Sequence, residues 1–222
     1  MDRHRRIRIK DIFKKEVFLI LLFALILFSA FPVSSAFAYN SISAKVVLDN
    51  ETGEFLYAEN ADARMEMAST TKILTAICVI EHNDIFEEVE VPDAAIGVEG
   101  SSVYLRKGER WRILDLLYGL MLRSGNDAAT ALAILTSGDI SSFAALMNET
   151  ARKAGATNSS FVNPHGLHDD AHYSTARDMA LITAYALKCP VFAAICKTKV
   201  HPYMKKTVSG EEKASFIIKT NC

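Results

Sequence analysis

The sequence predicts an α+β protein in which a leading β-hairpin is followed by a mainly helical middle and few later strands. Three observations carry this. Two strand-like segments, Ala44–Asp49 and Glu54–Ala58, flank Asn50-Glu-Thr-Gly53, which has turn chemistry. From Ser69 to Leu187 apolar residues recur at helical spacing. After Lys197 the tail is mixed, and only Phe216-Ile-Ile218 reads as a strand.

The elements follow in order. Ser69 opens a helix through about Glu81, and Ile73, Leu74, Ile77, Val79 and Ile80 make it too apolar for a surface position. Val89–Val91 is a short extended piece, and 97–108 is a Gly/Ser-containing loop. Leu114–Leu122 is helical, Ser124-Gly-Asn126 interrupts it, and Asp127 starts a helix to about Leu135. Ile140–Ala154 is amphipathic and Gly155 closes it. Residues 158–173 are irregular. Thr175-Ala-Arg-Asp178 reads as a capping box for a helix to Leu187, and Pro190 ends that segment. A lone hairpin is marginally stable, so the leading one wants sheet partners that the tail supplies sparingly.

Before all this stands a separate object. Seven Lys and Arg residues between Arg3 and Lys15 precede an apolar run from Val17 to Phe28, then Pro32 and Ala36-Phe-Ala38. A basic start, a short apolar stretch and a small-x-small site form a secretory signal, so residues 1–38 are expected to be a signal peptide and 39–222 an exported domain. The apolar run is marginal for a spanning helix; contact with a membrane is expected only through this segment or through an anchor beyond Cys222. The mature part is mildly acidic and lacks a basic stripe, which argues against nucleic acid as a partner. Cys78 reads as a small buried hydrophobe. Cys189 and Cys196 fit either a disulfide or two free thiols, and no Cys-x-x-Cys spacing suggests zinc.

The chemistry sits at Ser69-Thr-Thr-Lys72. Ser and Lys three apart on a helix share one face. A serine hydroxyl is a poor nucleophile until a base takes its proton. A lysine in an apolar helix is costly to keep charged, and desolvation supplies a neutral amine to act as that base. Ser124-Gly-Asn126, at a helix junction, is the second element: Ser124 as proton relay toward the leaving group, Asn126 orienting Lys72 and binding a substrate amide. Either pattern alone is equally an N-cap or a turn. His165, His168 and His172 invite a metal reading, but their irregular loop spacing favours hydrogen-bonding roles, and no metal or cofactor is expected. Glu99 and Glu109 read as solvated loop residues.

Together, Ala68-Ser-Thr-Thr-Lys-Ile-Leu-Thr-Ala76, Leu116-Leu-Tyr-Gly-Leu120, Ser124-Gly-Asn-Asp-Ala-Ala129, Asn163-Pro-His-Gly-Leu167 and His172-Tyr-Ser-Thr-Ala-Arg-Asp178 resemble the low-molecular-weight penicillin-binding proteins, and specifically the serine-type D-alanyl-D-alanine carboxypeptidases. The resemblance implies a β-lactamase/transpeptidase-like fold with a helical subdomain and an antiparallel sheet. It implies Ser69 as acylated nucleophile, Lys72 as general base, and Ser124 and Asn126 as the second element. It also implies peptidoglycan stem peptides ending in D-Ala-D-Ala as substrate and β-lactams as acylating ligands. The family's third element, Lys-Thr-Gly on a strand, does not occur in the 222 residues. Lys219-Thr-Asn221 and Lys197-Thr-Lys199 fail to match it. The sheet is therefore expected to be incomplete, 39–222 to be the N-terminal portion of the catalytic domain, and this chain alone to be inactive or nearly so. A class A β-lactamase would want a Glu with a following Leu-Asn after Asn126, and none is found. A non-catalytic, truncated wall- or penicillin-binding relic is the alternative.

Overall fold

A computed structural model describes residues 43–206 and 212–219. The segment read as a signal peptide, and Thr220, Asn221 and Cys222, lie outside the described residues.

The chain runs β1 (Lys45–Leu48), β2 (Phe55–Glu59), a 3-10 turn (Ala68–Thr70), α1 (Thr71–His82), β3 (Glu88–Glu90), β4 (Arg110–Arg112), α2 (Ile113–Arg123), α3 (Asn126–Ser137), α4 (Ile140–Lys153), α5 (Ala176–Leu187), α6 (Pro190–Lys197), β5 (Val200–Lys206) and β6 (Glu212–Lys219). It is a mixed fold built around helices, as the composition pattern predicts.

Helix α1 is the central helix of the unit formed by residues 42–222. Leu74, Ala76, Ile77, Cys78 and Val79 are fully buried, and α2, α3, α4, α5 and α6 all pack against α1. Leu116, Leu117 and Leu120 of α2, Leu132 of α3, Phe143 and Met147 of α4, Ile182 of α5 and Phe192 of α6 complete one continuous core. Alanines at 128, 129, 131 and 133 let α3 lie close to its neighbours. Burial pushes the Cys78 thiol up to about 12, consistent with an inert core residue. Cys189 and Cys196 are free thiols.

The hairpin forms as expected, with Val46 opposite Ala58 and Val47 opposite Tyr57, and the Asp49 carboxylate accepting from the Glu51 and Thr52 amides at its turn. Among the described residues it remains two-stranded and leans on α5. The expectation of few later strands needs correction: β4, β5 and β6 join β3 in a four-stranded antiparallel sheet separate from the hairpin. β4 is three residues long, too short to show a period, and is fixed by the buried Trp111, which stacks on Tyr203 of β5 at 4.4 Å.

Three local expectations also change. Pro190 does not simply end a segment; it occupies the first turn of α6, where a missing N–H costs nothing. Thr175 caps α5 by accepting from the Asp178 amide, but the Asp178 carboxylate turns away to Asn158 N and Ser159 Oγ, so the box closes on one side only. Glu109 is 4% exposed and accepts from the Trp111 indole N–H; it is no solvated loop residue. Glu99 is exposed as expected.

Candidate active site

Ser69 does not cap a helix. It sits in the 3-10 turn ahead of α1, exposed, and neither Met67 nor Thr70 makes a side-chain cap there. Ala68 just before it takes a positive φ of 44°, a conformation that costs a side-chain-bearing residue about 1–2 kcal/mol. The turn is thereby set off from the helix axis, and Ser69 is presented to solvent while Lys72, one turn on, is 2% exposed.

Lys72 Nζ donates to three oxygens: Ser69 Oγ at 3.1 Å, Asn126 Oδ1 at 2.8 Å and the His165 carbonyl at 2.8 Å. Burial holds its ammonium down to about 8, far below an ordinary lysine. The donor count is instructive. A protonated amine has three N–H bonds, one for each acceptor. A neutral amine has two, and the fixed carbonyls of Asn126 and His165 take both. The lone pair then faces the Ser69 hydroxyl.

Asn126 opens α3 and is 5% exposed. Its Nδ2 donates to the Glu99 carbonyl at 2.6 Å, which leaves Oδ1 facing Lys72. Gly100, at φ +93°, lies against that amide, and a Cβ there would fall 2.6 Å from Nδ2. Asp127, next along, accepts from Ser102 Oγ and from the Val103, Leu105 and Ala128 amides, so the 99–105 loop is bound tightly to the start of α3.

Ser124 terminates α2 at φ 55°, ψ 33°, where glycine or asparagine is usual. Its hydroxyl is buried and, among the described residues, has no hydrogen-bond partner. The structure thus brings Ser69, Lys72 and Asn126 into one hydrogen-bonded cluster. It keeps Ser124 two residues from Asn126 without bonding its hydroxyl to Lys72.

The far wall is the Asn163–Leu167 loop. Thr75 Oγ1 donates to the Pro164 carbonyl at 2.7 Å, and the Asn163 carboxamide accepts from the Gly166 amide at 2.7 Å. Burial, with Lys72 as a second cause, drives the His165 imidazole down to about 4, so it is neutral near pH 7. His172 is buried and likewise shifted down by burial. His165 and His172 hold hydrogen bonds within the protein, whereas His168 is exposed beside Glu66. No group of three metal-ligating side chains occurs among the described residues. Thr198 bonds back to Ala194 at the end of α6, and nothing in the cluster involves it.

Sequence reasoning missed the two backbone acceptors at Glu99 and His165, the Asp127 anchor and the Thr71 and Thr75 contacts. Carbonyls carry no residue-type signature. The signal available was indirect: Gly100 and Gly166 mark where backbone approaches closely.

The model of the D-alanyl-D-alanine carboxypeptidase family matches residues 33–219. The D-alanyl-D-alanine carboxypeptidase DacF of Bacillus subtilis (strain 168) is 36% identical over 160 residues, covering 70% of this chain and 41% of that protein. The D-alanyl-D-alanine carboxypeptidase of Streptomyces sp. (strain K15) is 35% identical over 174 residues, covering 73% and 59%. The crystal structure of the Streptomyces K15 DD-transpeptidase superposes with a TM-score of 0.75 at 32% identity, over 81% of this chain and 72% of that one. The chain spans less than two thirds of the length of both curated relatives.

Proposed function

The chain belongs to the D-alanyl-D-alanine carboxypeptidase family, and from that premise we propose that it is a serine acyl-transfer enzyme releasing the terminal D-alanine from peptidoglycan stem peptides. The observation that carries the reading is the Lys72 amine, buried, held by two fixed carbonyls and 3.1 Å from Ser69 Oγ.

The geometry supports the following course. Neutral Lys72 takes the Ser69 proton as Oγ attacks the carbonyl of the penultimate D-alanine. The new ammonium gains a third N–H, which finds Ser69 Oγ again as the ester oxygen forms. The tetrahedral oxyanion develops at the mouth of the 3-10 turn and α1, where the first helical amides lack intrahelical acceptors and the dipole is positive. The C–N bond then breaks, D-alanine leaves as its amine takes up a proton, and water hydrolyses the Ser69 ester. Ser124, whose buried hydroxyl has no partner among the described residues, suits the proton path to the leaving nitrogen. Asn126 holds Lys72 through Oδ1. A β-lactam offers the same carbonyl chemistry with a leaving group that stays tethered, so penicillins are expected to acylate Ser69. The basic start, apolar run and small-x-small site of residues 1–38 support export to the cell-wall side of the cytoplasmic membrane.

The test is labelling with a fluorescent penicillin followed by mass spectrometry of the adduct, in a chain extended to carry the Lys-Thr-Gly element that the 222 residues lack. A Ser69-bound acyl group, lost in Ser69→Ala along with D-alanine release from a peptide ending in D-Ala-D-Ala, is the expected result. An adduct that survives Ser69→Ala would overturn the assignment.

A further inference from the structure

We infer that His172 is a positioning residue for this site: bridging the Val162 amide and the Thr71 hydroxyl, it clamps the Asn163–Leu167 loop onto the first turn of α1 and so sets the His165 carbonyl against Lys72.

The tautomer follows from the donors. The Val162 amide donates to His172 Nδ1 at 3.1 Å. The ring proton is therefore on Nε2, 3.0 Å from Thr71 Oγ1, which accepts it. Both partners are buried, His172 at 3% and Thr71 at 0% exposure, and Phe161 meets the imidazole edge-on with centroids 5.7 Å apart. Backbone bridges fix the segment that carries His172: Tyr173 pairs with Ser160, and Ser174 with Met65. His172 is thus a rigid post, and burial lowers the pKa of its imidazole.

Its two bonds join what must be joined. One reaches the residue just before the Asn163–Leu167 loop. The other reaches the neighbour of Lys72. On the same helix face Thr75 grips the Pro164 carbonyl, so the chain is attached at Val162 and at Pro164, directly ahead of the His165 carbonyl that accepts from Lys72. Thr71 Oγ1 also lies within 2.8 Å of where a Cβ on Gly166 would stand, so the hydroxyl is a spacer as well as an acceptor. Without His172 no hydrogen bond among the described residues holds Val162 between Phe161, which Asn148 fixes, and Pro164, which Thr75 fixes, and the loop can pivot there. Water would then reach Lys72 Nζ, and the second fixed carbonyl that aims the lone pair would be lost.

The inference rests on the reading of Lys72 as proton acceptor, but its test is separate from activity. Lys72 is titrated in the full chain by the NMR shift of its ε-carbon, assigned by comparison with Lys72→Met. The wild-type midpoint is expected at about 8. In His172→Phe and in Thr71→Val it should rise by about a unit or more as solvent enters. In His172→Gln it should stay near the wild-type value, because the amide offers one acceptor and one donor. Thr71→Val is nearly isosteric and decides the matter if His172→Phe does not fold, as read by circular dichroism. Folded Thr71→Val or His172→Phe chains with an unmoved midpoint would overturn the clamp, as would His172→Gln behaving like His172→Phe. A chain that titrates as expected yet forms no Ser69 adduct even when extended to carry a Lys-Thr-Gly element would sink the proposed function and leave the clamp standing.

Discussion

Gly166 and the Ala68 carbonyl are packed so closely that no side chain fits between them: a Cβ built on Gly166 would overlap both the Ala68 oxygen and its carbonyl carbon. Both residues have positive φ, +84° for Gly166 and 44° for Ala68. The loop that carries one Lys72 acceptor is therefore pressed against the residue that precedes the nucleophile. Gly166→Ala is expected to cost about 2–5 kcal/mol, from the left-handed backbone and from overpacking against a backbone carbonyl. Urea unfolding measures the loss. Ser69 acylation should fall with it, since the Ala68 turn must shift to make room. A variant as stable and reactive as the wild type would mean the loop yields freely.

Ser124 shows the opposite balance. It holds a backbone conformation that suits glycine, and its buried hydroxyl has no hydrogen-bond partner among the described residues. Both features cost stability. Ser124→Gly removes both, offset by the greater freedom of glycine in the unfolded chain, for a net gain of about 1 kcal/mol. D-alanine release should nevertheless drop by about tenfold or more, because the proton path to the leaving nitrogen loses its hydroxyl. Higher thermal stability together with lower turnover would mark Ser124 as a residue kept for chemistry. Destabilisation would instead show that the hydroxyl has a structural partner.

How much of this was legible in the sequence depends on the kind of force involved. The hairpin was readable because Val46 and Leu48 alternate with outward residues and Asp49 begins a side-chain-stabilised turn. Helix α1 was readable because its apolar residues surround it, which made Lys72 conspicuous. β4 was not, because three residues give no period and Arg110 and Arg112 look solvated; the buried Trp111 between them decides their place. Pro190 marks the end of the segment that closes at Leu187, as its residue type says, but that it also opens α6 is not legible, because proline punctuates either end of a helix. Glu109 looked like a loop charge because its acceptor role depends on an indole two residues away. The site nucleophile and base could be read from residue types, whereas the carbonyls that orient the base could not.

The depressed Lys72 pKa fixes two pH dependences. Acylation needs the neutral amine, so its rate should rise about tenfold per pH unit below 8 and level off above it. Near pH 7 only about a tenth of the molecules carry the free base. For stability the sign is that of a carboxylate whose pKa the fold depresses, stability being lost as pH falls, but the window lies in alkali. Below about 8 both folded and unfolded states hold the Lys72 proton. Between about 8 and the ordinary value of 10.5 the folded state has released it and the unfolded state has not, so stability rises with pH. Urea unfolding of the wild type and of Lys72→Met across this window isolates the effect: the wild type should gain on the variant. A difference that stays flat would place Lys72 in solvent.

Asp127 supplies the last prediction. It is 2% exposed, and its two oxygens accept from Ser102 Oγ and three backbone amides. A carboxylate in the first turn of α3 also favours the helix dipole. Removing it leaves the Val103 and Leu105 amides without their acceptor, which should cost about 3 kcal/mol in Asp127→Ala. Asp127→Asn keeps the shape but points an amino group at donors, so it should fall between Asp127→Ala and the wild type. Gly100→Ala separates loop stability from site geometry. Its Cβ would push on Asn126 Nδ2, a side-chain atom that can give way, so unfolding should change little more than the strain of a left-handed alanine demands. The Asn126 amide, however, also carries the Oδ1 that holds Lys72. Acylation of Gly100→Ala should therefore slow more than tenfold while its stability loss stays below that of Asp127→Ala. Equal effects on both quantities in the two variants would show that the 99–105 loop acts on the site only through the overall fold.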